Sequence, residues 1–283
     1  MQTIPSMTTV SVIIPTFNRA WTLEKAIDSV LGQTYPHTEL VVVNDGSVDR
    51  TPDILESYER SYPNRIRVIH TANRGVSAAR NTGISQSSGD LVALLDSDDA
   101  WTKDKVSIQV AFFNAHPDAL ICQTEEIWIR NGKRVNPKKK HKKPSGLIFE
   151  PSLHLCLVSP SAVMMRRRLF DRVGTFNESF PVCEDYDLWL RISAESIPIH
   201  LIDTPCTIKT GGHEDQLSKN HSQDKFRIRS ILGLLDKGGL IPEHRYAALN
   251  VLREKCRIFG QGCIKRGDVA QGEYYLGLME TVS

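Results

Sequence analysis

The feature that most limits what this chain can fold into is the alternation, from Val10 to Leu95, of short apolar runs with amphipathic stretches. Val10-Ser11-Val12-Ile13-Ile14, Leu40-Val41-Val42-Val43 and Leu91-Val92-Ala93-Leu94-Leu95 have strand length and are apolar almost throughout, as strands buried on both faces are. Ile66 to His70 reads as a further short strand. Between them, Ala20 to Leu31 places Leu23, Ala26, Ile27, Val30 and Leu31 at helical spacing. Thr51 to Tyr62 reads as a second helix, with Pro52 near its start where proline is tolerated, and Gly75 to Gln86 as a small-residue helix. Strands that alternate with helices imply an open, doubly wound α/β sheet with helices on its faces.

The pattern loosens after Asp99. Lys103 to Ala115 reads as a helix and Leu120 to Arg130 as one longer strand. Seven Lys/Arg then fall between Gly132 and Pro144, a run that cannot pack into a core and reads as a solvated loop. A phosphate-seeking or membrane-surface loop is the sharper alternative. Lys225 to Met279 reads as three helices broken at Gly238-Gly239 and Gly267-Asp268. The expected division is a domain over 1–222 and a C-terminal helical extension over 223–283.

A net charge of +2 argues neither for nor against nucleic acid. No apolar run approaches the roughly 20 residues of a membrane span, and the N-terminus lacks the basic-then-apolar pattern of a secretory signal. The six cysteines are scattered without a Cys-x-x-Cys pair. They read as reduced thiols, not as a zinc site or disulfide framework, so a cytoplasmic protein is expected.

Candidate chemistry collects where the apolar runs end. Asp96-Ser97-Asp98-Asp99 follows the Leu91–Leu95 run, at the strand end where open α/β sheets bind ligands. Carboxylates that close repel unless a cation satisfies them, and hard oxygen ligands suit Mg²⁺ or Mn²⁺ bridging to phosphate. The same residues also suit a helix cap. Pro15-Thr16-Phe17-Asn18-Arg19 follows the first strand, and Asn44-Asp45-Gly46-Ser47 the second. Asp45 can accept hydrogen bonds from a base or ribose, or simply shape an Asp-Gly turn. The chain has no Gly-x-Gly-x-x-Gly after a strand and no Gly-Lys-Ser/Thr, which counts against a dehydrogenase or an ATPase. In Cys183-Glu184-Asp185-Tyr186-Asp187 the acidic pair opens a helix. Acidic residues stabilise that end without catalysis, yet a carboxylate there can also take a proton from an acceptor hydroxyl.

Pro-Thr-Phe-Asn-Arg, Asn-Asp-Gly-Ser, Asn73-Arg74-Gly75…Ala78-Ala79-Arg80-Asn81…Gly83, Asp96-Ser97-Asp98-Asp99 and Glu184-Asp185, in this order and at these intervals, resemble the family 2 glycosyltransferases over roughly residues 10–215. The resemblance implies inverting enzymes with the glycosyltransferase A fold, an α/β architecture with an open, mostly parallel sheet flanked by helices. Residues of about 10–100 would form the nucleotide-binding half and about 101–222 the acceptor half. Pro15, Thr16, Phe17, Asn18 and Arg19 would line the nucleotide pocket with Gly46 and Ser97, and Asp45 would bond the base. Asp98 would lie near ribose and metal, and Asp99, helped by Asp96 or Asp98, would hold a divalent ion (Mn or Mg) on the diphosphate. His213, in a glycine-rich setting that suits a closing lid, would be a third ligand. Arg80 would approach a phosphate or brace the acidic strand end. Asp185 would be the general base and Glu184 would bind a sugar, roles that could be exchanged.

The implied reaction moves a sugar from a nucleoside diphosphate donor, UDP by family frequency, to a hydroxyl of a saccharide or lipid-linked acceptor in polysaccharide or glycolipid synthesis. The basic loop 133–143 could give peripheral contact at the inner face of a membrane, while the acidic cleft disfavours nucleic acid. Similar family segments place Ser159 to Phe176 beside the acceptor, with Phe170 to Phe176 as a packing turn and Arg166-Arg167-Arg168 as a solvated helix start or a phosphate contact. Trp101 and Trp189 are candidates for sugar stacking, with core packing the safer reading of Trp189. Two rivals remain. A sugar-nucleotide nucleotidyltransferase would need a Gly-rich basic loop after the first strand, which Pro15 to Arg19 lacks. A non-catalytic anion- or nucleic-acid-binding protein would act through loop 133–143.

Overall fold

Strands β1 (Val10–Thr16), β2 (Thr38–Asn44), β3 (Ile66–His70) and β4 (Leu91–Leu94) run parallel in the order β3-β2-β1-β4. This is a computed structural model, and it describes residues 7–136, 141–212 and 223–281. Helices α1 (Leu23–Leu31), α2 (Thr51–Ser61) and α3 (Val76–Gln86) connect these strands. The side-chain alternation of β1 and β4 separates two cores: Val12, Ile14, Leu91 and Ala93 meet Leu23, Ala26 and Ile27 of α1 on one face, while Ile13, Val92 and Leu94 meet Ile84 of α3 on the other. The small residues of α3 have a packing reason, because a Cβ on Gly83 would overlap the Ile13 side chain.

The second half continues the sheet with mixed pairing. It comprises β5 (Ala100–Trp101), α4 (Lys105–Ala115), β6 (Ile121–Arg130), β7 (Lys133–Val135), α5 (Phe149–His154), β8 (Val163–Arg166), α6 (Leu169–Val173), α7 (Glu184–Ala194) and β9 (Ile199–Gly211). β8 joins β4 and β6 antiparallel, β9 runs parallel to β6 with bulges around Glu125, and β5 closes the order antiparallel to β9. The sheet is parallel through its first half, and antiparallel pairs enter only from β8 onward. β8 and β9 carry no strand signal in the residue order. β8 is four residues long, and β9 carries Asp203 and Pro205, so neither shows a strand periodicity.

Three expectations change on packing. Of the three arginines only Arg168, exposed at the start of α6, keeps the place of a solvated helix start, while Arg166 and Arg167 are partly buried and bonded to backbone carbonyls. Arg166 donates to the carbonyls of Ala119 (2.9 Å) and Phe113 (2.9 Å), Arg167 to those of Gly89 (2.7 Å) and Ile84 (2.9 Å), and Arg168 to that of Pro117 (3.3 Å). Trp101 and Trp189 are both buried, and Trp101 Nε1 donates to the Ser161 carbonyl at 2.8 Å, so neither presents a face to a sugar. Lys143, at the end of the basic run, is buried and ion-paired to Glu126 at 3.3 Å, which anchors a segment expected to be wholly solvated.

Helices α8 (Gln223–Lys237), α9 (Pro242–Lys265) and α10 (Val269–Thr281) follow the expected glycine breaks. They share one hydrophobic cluster with α5 and α7, in which Phe149, Leu153, Tyr186 and Leu190 meet Ile228, Ile231, Leu252 and Cys256. Ser230 also donates to Asp187 of α7 at 2.8 Å. These helices therefore steady the helix that bears the acidic pair.

Lys105 lies wholly buried at the start of α4, its ammonium 2.5 Å from Gln109 Oε1 and 4.0 Å from the Trp101 ring centroid. Burial pushes its pKa down from 10.5 to about 7. Between those values the unfolded chain holds a proton that the folded chain has released, so this group makes stability rise with pH across that window. Urea denaturation of wild type and Lys105→Met at about pH 7.5, 8.5 and 9.5 is expected to favour wild type progressively, by about 1.4 kcal/mol per pH unit. A pH-independent difference would show that the amine stays charged over Trp101.

Candidate active site

The carboxyl ends of β1, β2 and β4 open on one edge of the sheet, and the loops leaving them are tied together. Asn18, at φ +51°, donates its N–H to Ser47 Oγ (2.9 Å) and accepts from the Val48 N–H (2.9 Å). The N–H groups of Arg19 and Ala20 bond Thr51 Oγ1 (2.9 Å) and Asp49 Oδ2 (3.1 Å). Pro15 and Thr16 are buried at the end of β1, whereas Phe17 is 42% exposed beside them. Asp45 is buried and accepts from the N–H groups of Arg74 (3.0 Å) and Gly75 (2.8 Å), bracing the entry to α3. Gly46 has φ +76°, and a Cβ there would lie 2.8 Å from the Asn73 nitrogen, so only glycine permits this approach.

Past β4, one carboxylate oxygen from each of Asp96, Asp98 and Asp99 can lie within 4.8 Å of the others. Ser161, in the 3-10 turn Pro160–Ala162, accepts from the Asp96 N–H at 3.1 Å, and Ser97 is buried between the acids. Asp99 is buried and accepts from the Thr210 N–H of β9 at 2.8 Å. Burial, opposed by Lys209 and reinforced by Asp98 and Asp96, pushes its carboxyl up to about 8. Among the described residues, the buried hydroxyls of Thr16 and Thr210 find no hydrogen-bond partner. A surplus of negative charge and these unmet polar atoms fit a site for a divalent cation, built from hard oxygen donors. His213 lies outside the described residues.

Arg80 links this cluster to the acidic pair. Its guanidinium, buried on α3, donates to Asp96 Oδ1 at 2.7 Å and to Glu184 Oε1 at 2.6 Å. Burial opposes its charge, but Asp96 and Glu184 hold its pKa above the ordinary arginine value. Of the two roles open to Arg80, this geometry makes it the brace. Glu184 is buried, and burial outweighs the pairing with Arg80 to push its carboxyl up to about 7. Asp185 is half-buried, with Oδ1 accepting from the Tyr186 N–H at 2.7 Å and Oδ2 from the Cys156 thiol at 3.5 Å. Cys183 opens α7 in the left-handed region at φ +61°. Asp187 points away from the pair, accepting from Arg191 at 2.9 Å and from Ser230.

Sequence reasoning missed Lys209 on β9. Its ammonium donates to Ser159 Oγ at 3.0 Å, and its pKa, lowered by burial, is raised overall by Glu126, Asp99, Asp96 and Asp185. No motif marks it. A lone lysine in a half-apolar strand comes to face these acids only through the register of β9 beside β6.

The family model described as "Glycosyl transferase family 2" matches residues 11–174, more than half of the 283-residue chain. The chain belongs to family 2 of the glycosyltransferases. The chain covers only 31–37% of the length of the first curated relatives that it matches, uncharacterized glycosyltransferases of Rickettsia species. Along nearly its full length it is similar to the Escherichia coli UDP-Glc:alpha-D-GlcNAc-diphosphoundecaprenol beta-1,3-glucosyltransferase WfaP, at 29% identity over 268 residues, covering 88% of this chain and 96% of that one. Its fold matches that of S. aureus TarS 1-349 in complex with UDP-GlcNAc, with a TM-score of 0.69 at 23% identity over 88% of this chain and 72% of that one. It also matches the mannosyltransferase PcManGT from Pyrobaculum calidifontis in complex with GDP-Man and Mn²⁺, with a TM-score of 0.65 at 17% identity over 99% of this chain and 77% of that one. The glycosyltransferase A fold is thus present, in the mixed-sheet form described above.

Removing Arg80 would strand a buried carboxylate. Arg80→Met is expected to destabilise the protein by about 3–5 kcal/mol in urea denaturation, and adding Glu184→Gln to recover part of that loss. Equal stability of Arg80→Met and wild type would remove the guanidinium from this structural role.

Proposed function

We propose that the transferase moves a sugar from a UDP-linked donor to a hydroxyl group of a saccharide carried on a lipid diphosphate, with inversion at the anomeric carbon. The observation that carries this reading is the Arg80 bridge, because one guanidinium spans Asp96 of the acid cluster and Glu184 of the pair on α7. A diphosphate site and a proton acceptor thereby share one cleft. A UDP-sugar donor and a lipid-diphosphate acceptor are what the name of WfaP describes, and UDP-GlcNAc is the TarS ligand.

In this reading Pro15 to Arg19 and Asp45 with Gly46 hold the nucleotide, and Phe17 offers an exposed ring for the base. Asp96, Asp98 and Asp99, with His213, hold the divalent ion. Such an ion, when bound, neutralises charge on the departing diphosphate, so no separate acid is required. Asp185 removes the proton from the acceptor hydroxyl as the oxygen attacks the anomeric carbon. The bond from that carbon to the diphosphate oxygen breaks, and its electron pair leaves with the diphosphate. Glu184 is committed to Arg80, whereas Asp185 is half-exposed, which favours Asp185 as the base. Glu184 then keeps Arg80 in place and borders the sugar.

Asp185→Asn is expected to lower kcat by about 10²–10⁴ while donor affinity stays within about twofold, read from transfer kinetics and calorimetry. Turnover close to wild type would pass the role to Glu184. Isothermal titration of UDP, GDP, dTDP and CDP, each with and without Mn²⁺, is expected to show tight, metal-dependent binding of UDP alone. Asp99→Ala should weaken both metal and nucleotide binding, and unchanged affinity would remove Asp99 from the ion site.

A further inference from the structure

The end of the hairpin of β6 and β7, beyond Glu126, is charged with one sign. Between Ile127 and Phe149 the sequence carries eight Lys/Arg and no acidic residue. Arg130, Lys133, Arg134 and Lys142 are exposed there. A face that only needed solvation would be met by mixed charges, and an unmixed cationic one repels itself unless an anionic partner covers it.

The structure also fixes where this charge sits. Arg130 pairs with Lys133 across the hairpin and with Gly211 across β6 and β9, while the neighbouring Ile129 pairs with Thr210. Thr210 in turn donates its N–H to Asp99. The hairpin tip therefore begins one register position beyond the residue that bonds the acid cluster, at about 3.3 Å per position. The return segment is pinned along β6. The His141 ring lies 5.4 Å from that of Trp128, Lys143 Nζ is 3.3 Å from Glu126 Oε1, and Gln123 Nε2 donates to the Pro144 carbonyl at 3.1 Å. These contacts of His141, Lys143 and Pro144 tie the neighbourhood of Lys142 to β6.

We propose that this anchored hairpin docks the transferase on an anionic bilayer surface, with Arg130, Lys133, Arg134 and Lys142 against the lipid headgroups and the cleft mouth at the membrane plane. No helix among the described residues is long and apolar enough to cross a membrane, so attachment through these residues is electrostatic. The inference deepens the transferase reading, since it says from where the acceptor is presented. Vesicle binding needs no donor or metal, so the two readings fail separately.

The test is co-sedimentation of the full chain with phosphatidylglycerol/phosphatidylcholine vesicles and with pure phosphatidylcholine vesicles, at low and high salt. Binding to the anionic vesicles alone, reversed by salt, is expected. At about fivefold per basic residue, Arg130→Ser/Lys133→Ser/Arg134→Ser should lower the partition coefficient about a hundredfold, and Lys133→Ser/Lys142→Ser about twenty-five-fold. Lys25→Ser/Arg50→Ser/Arg60→Ser, exposed cations on the opposite half with the same change in net charge, should stay within about threefold of wild type. Far-UV circular dichroism and the urea denaturation midpoint of each variant report that the fold is intact. Absence of wild-type binding, equal loss in the control variant, persistence at high salt, or preferential binding of a single-stranded oligonucleotide would each overturn the proposal.

Discussion

The buried cation of Arg80 is the contact on which the candidate site depends. Three chain segments far apart in sequence meet at its guanidinium: α3, the loop after β4, and the first turn of α7. Without it, Asp96 on the loop and Glu184 on α7 would repel one another in a medium of low polarity. A buried arginine with two charge-assisted hydrogen bonds offsets that repulsion, and its planar fork holds Glu184 and Asp96 at a set separation. The desolvation that makes such a bridge costly also makes it specific, since loss of either partner leaves an unpaired buried charge.

A second ionic layer lies beneath the first. Lys209 and Lys143 share Glu126, whose carboxyl is depressed to about 2 because the two ammonium groups overcome its burial. Lys209 also faces Asp99, Asp96 and Asp185. The acid cluster is therefore balanced from the side of β9 as well as from α3, which leaves a cleft acidic enough for a cation yet able to stay folded. The C-terminal helices complete the support. Through Tyr186, Leu190 and the bond from Ser230 to Asp187 they clamp α7, so the position of Asp185 rests on packing supplied by the C-terminal helices.

Much of this was legible in the residue order. The buried runs Val10–Ile14, Leu40–Val43 and Leu91–Leu95 announced parallel strands because strands covered on both faces are continuously apolar. Gly238-Gly239 and Gly267-Asp268 announced the breaks between the last three helices. Individual site residues stood at strand ends and a helix start, where local pattern is informative. What stayed illegible were positions whose role arises from a partner distant in sequence: the short strand β8, the bulged strand β9, Arg166 and Arg167, which cap carbonyls, and Lys143, whose buried ammonium looked like one more solvated charge.

The sequence by itself determined the fold family, the strand-end placement of the acids and the α/β order, because those follow from periodicity and from motifs read along a continuous stretch. Only the tertiary structure decided that Arg80 braces both acidic groups, that Glu184 is occupied while Asp185 is half-exposed, and that Lys209 lies under the cleft. Each of those outcomes is an electrostatic pairing across the sheet. Such pairings depend on register and burial, and neither quantity is carried by any local run of residues.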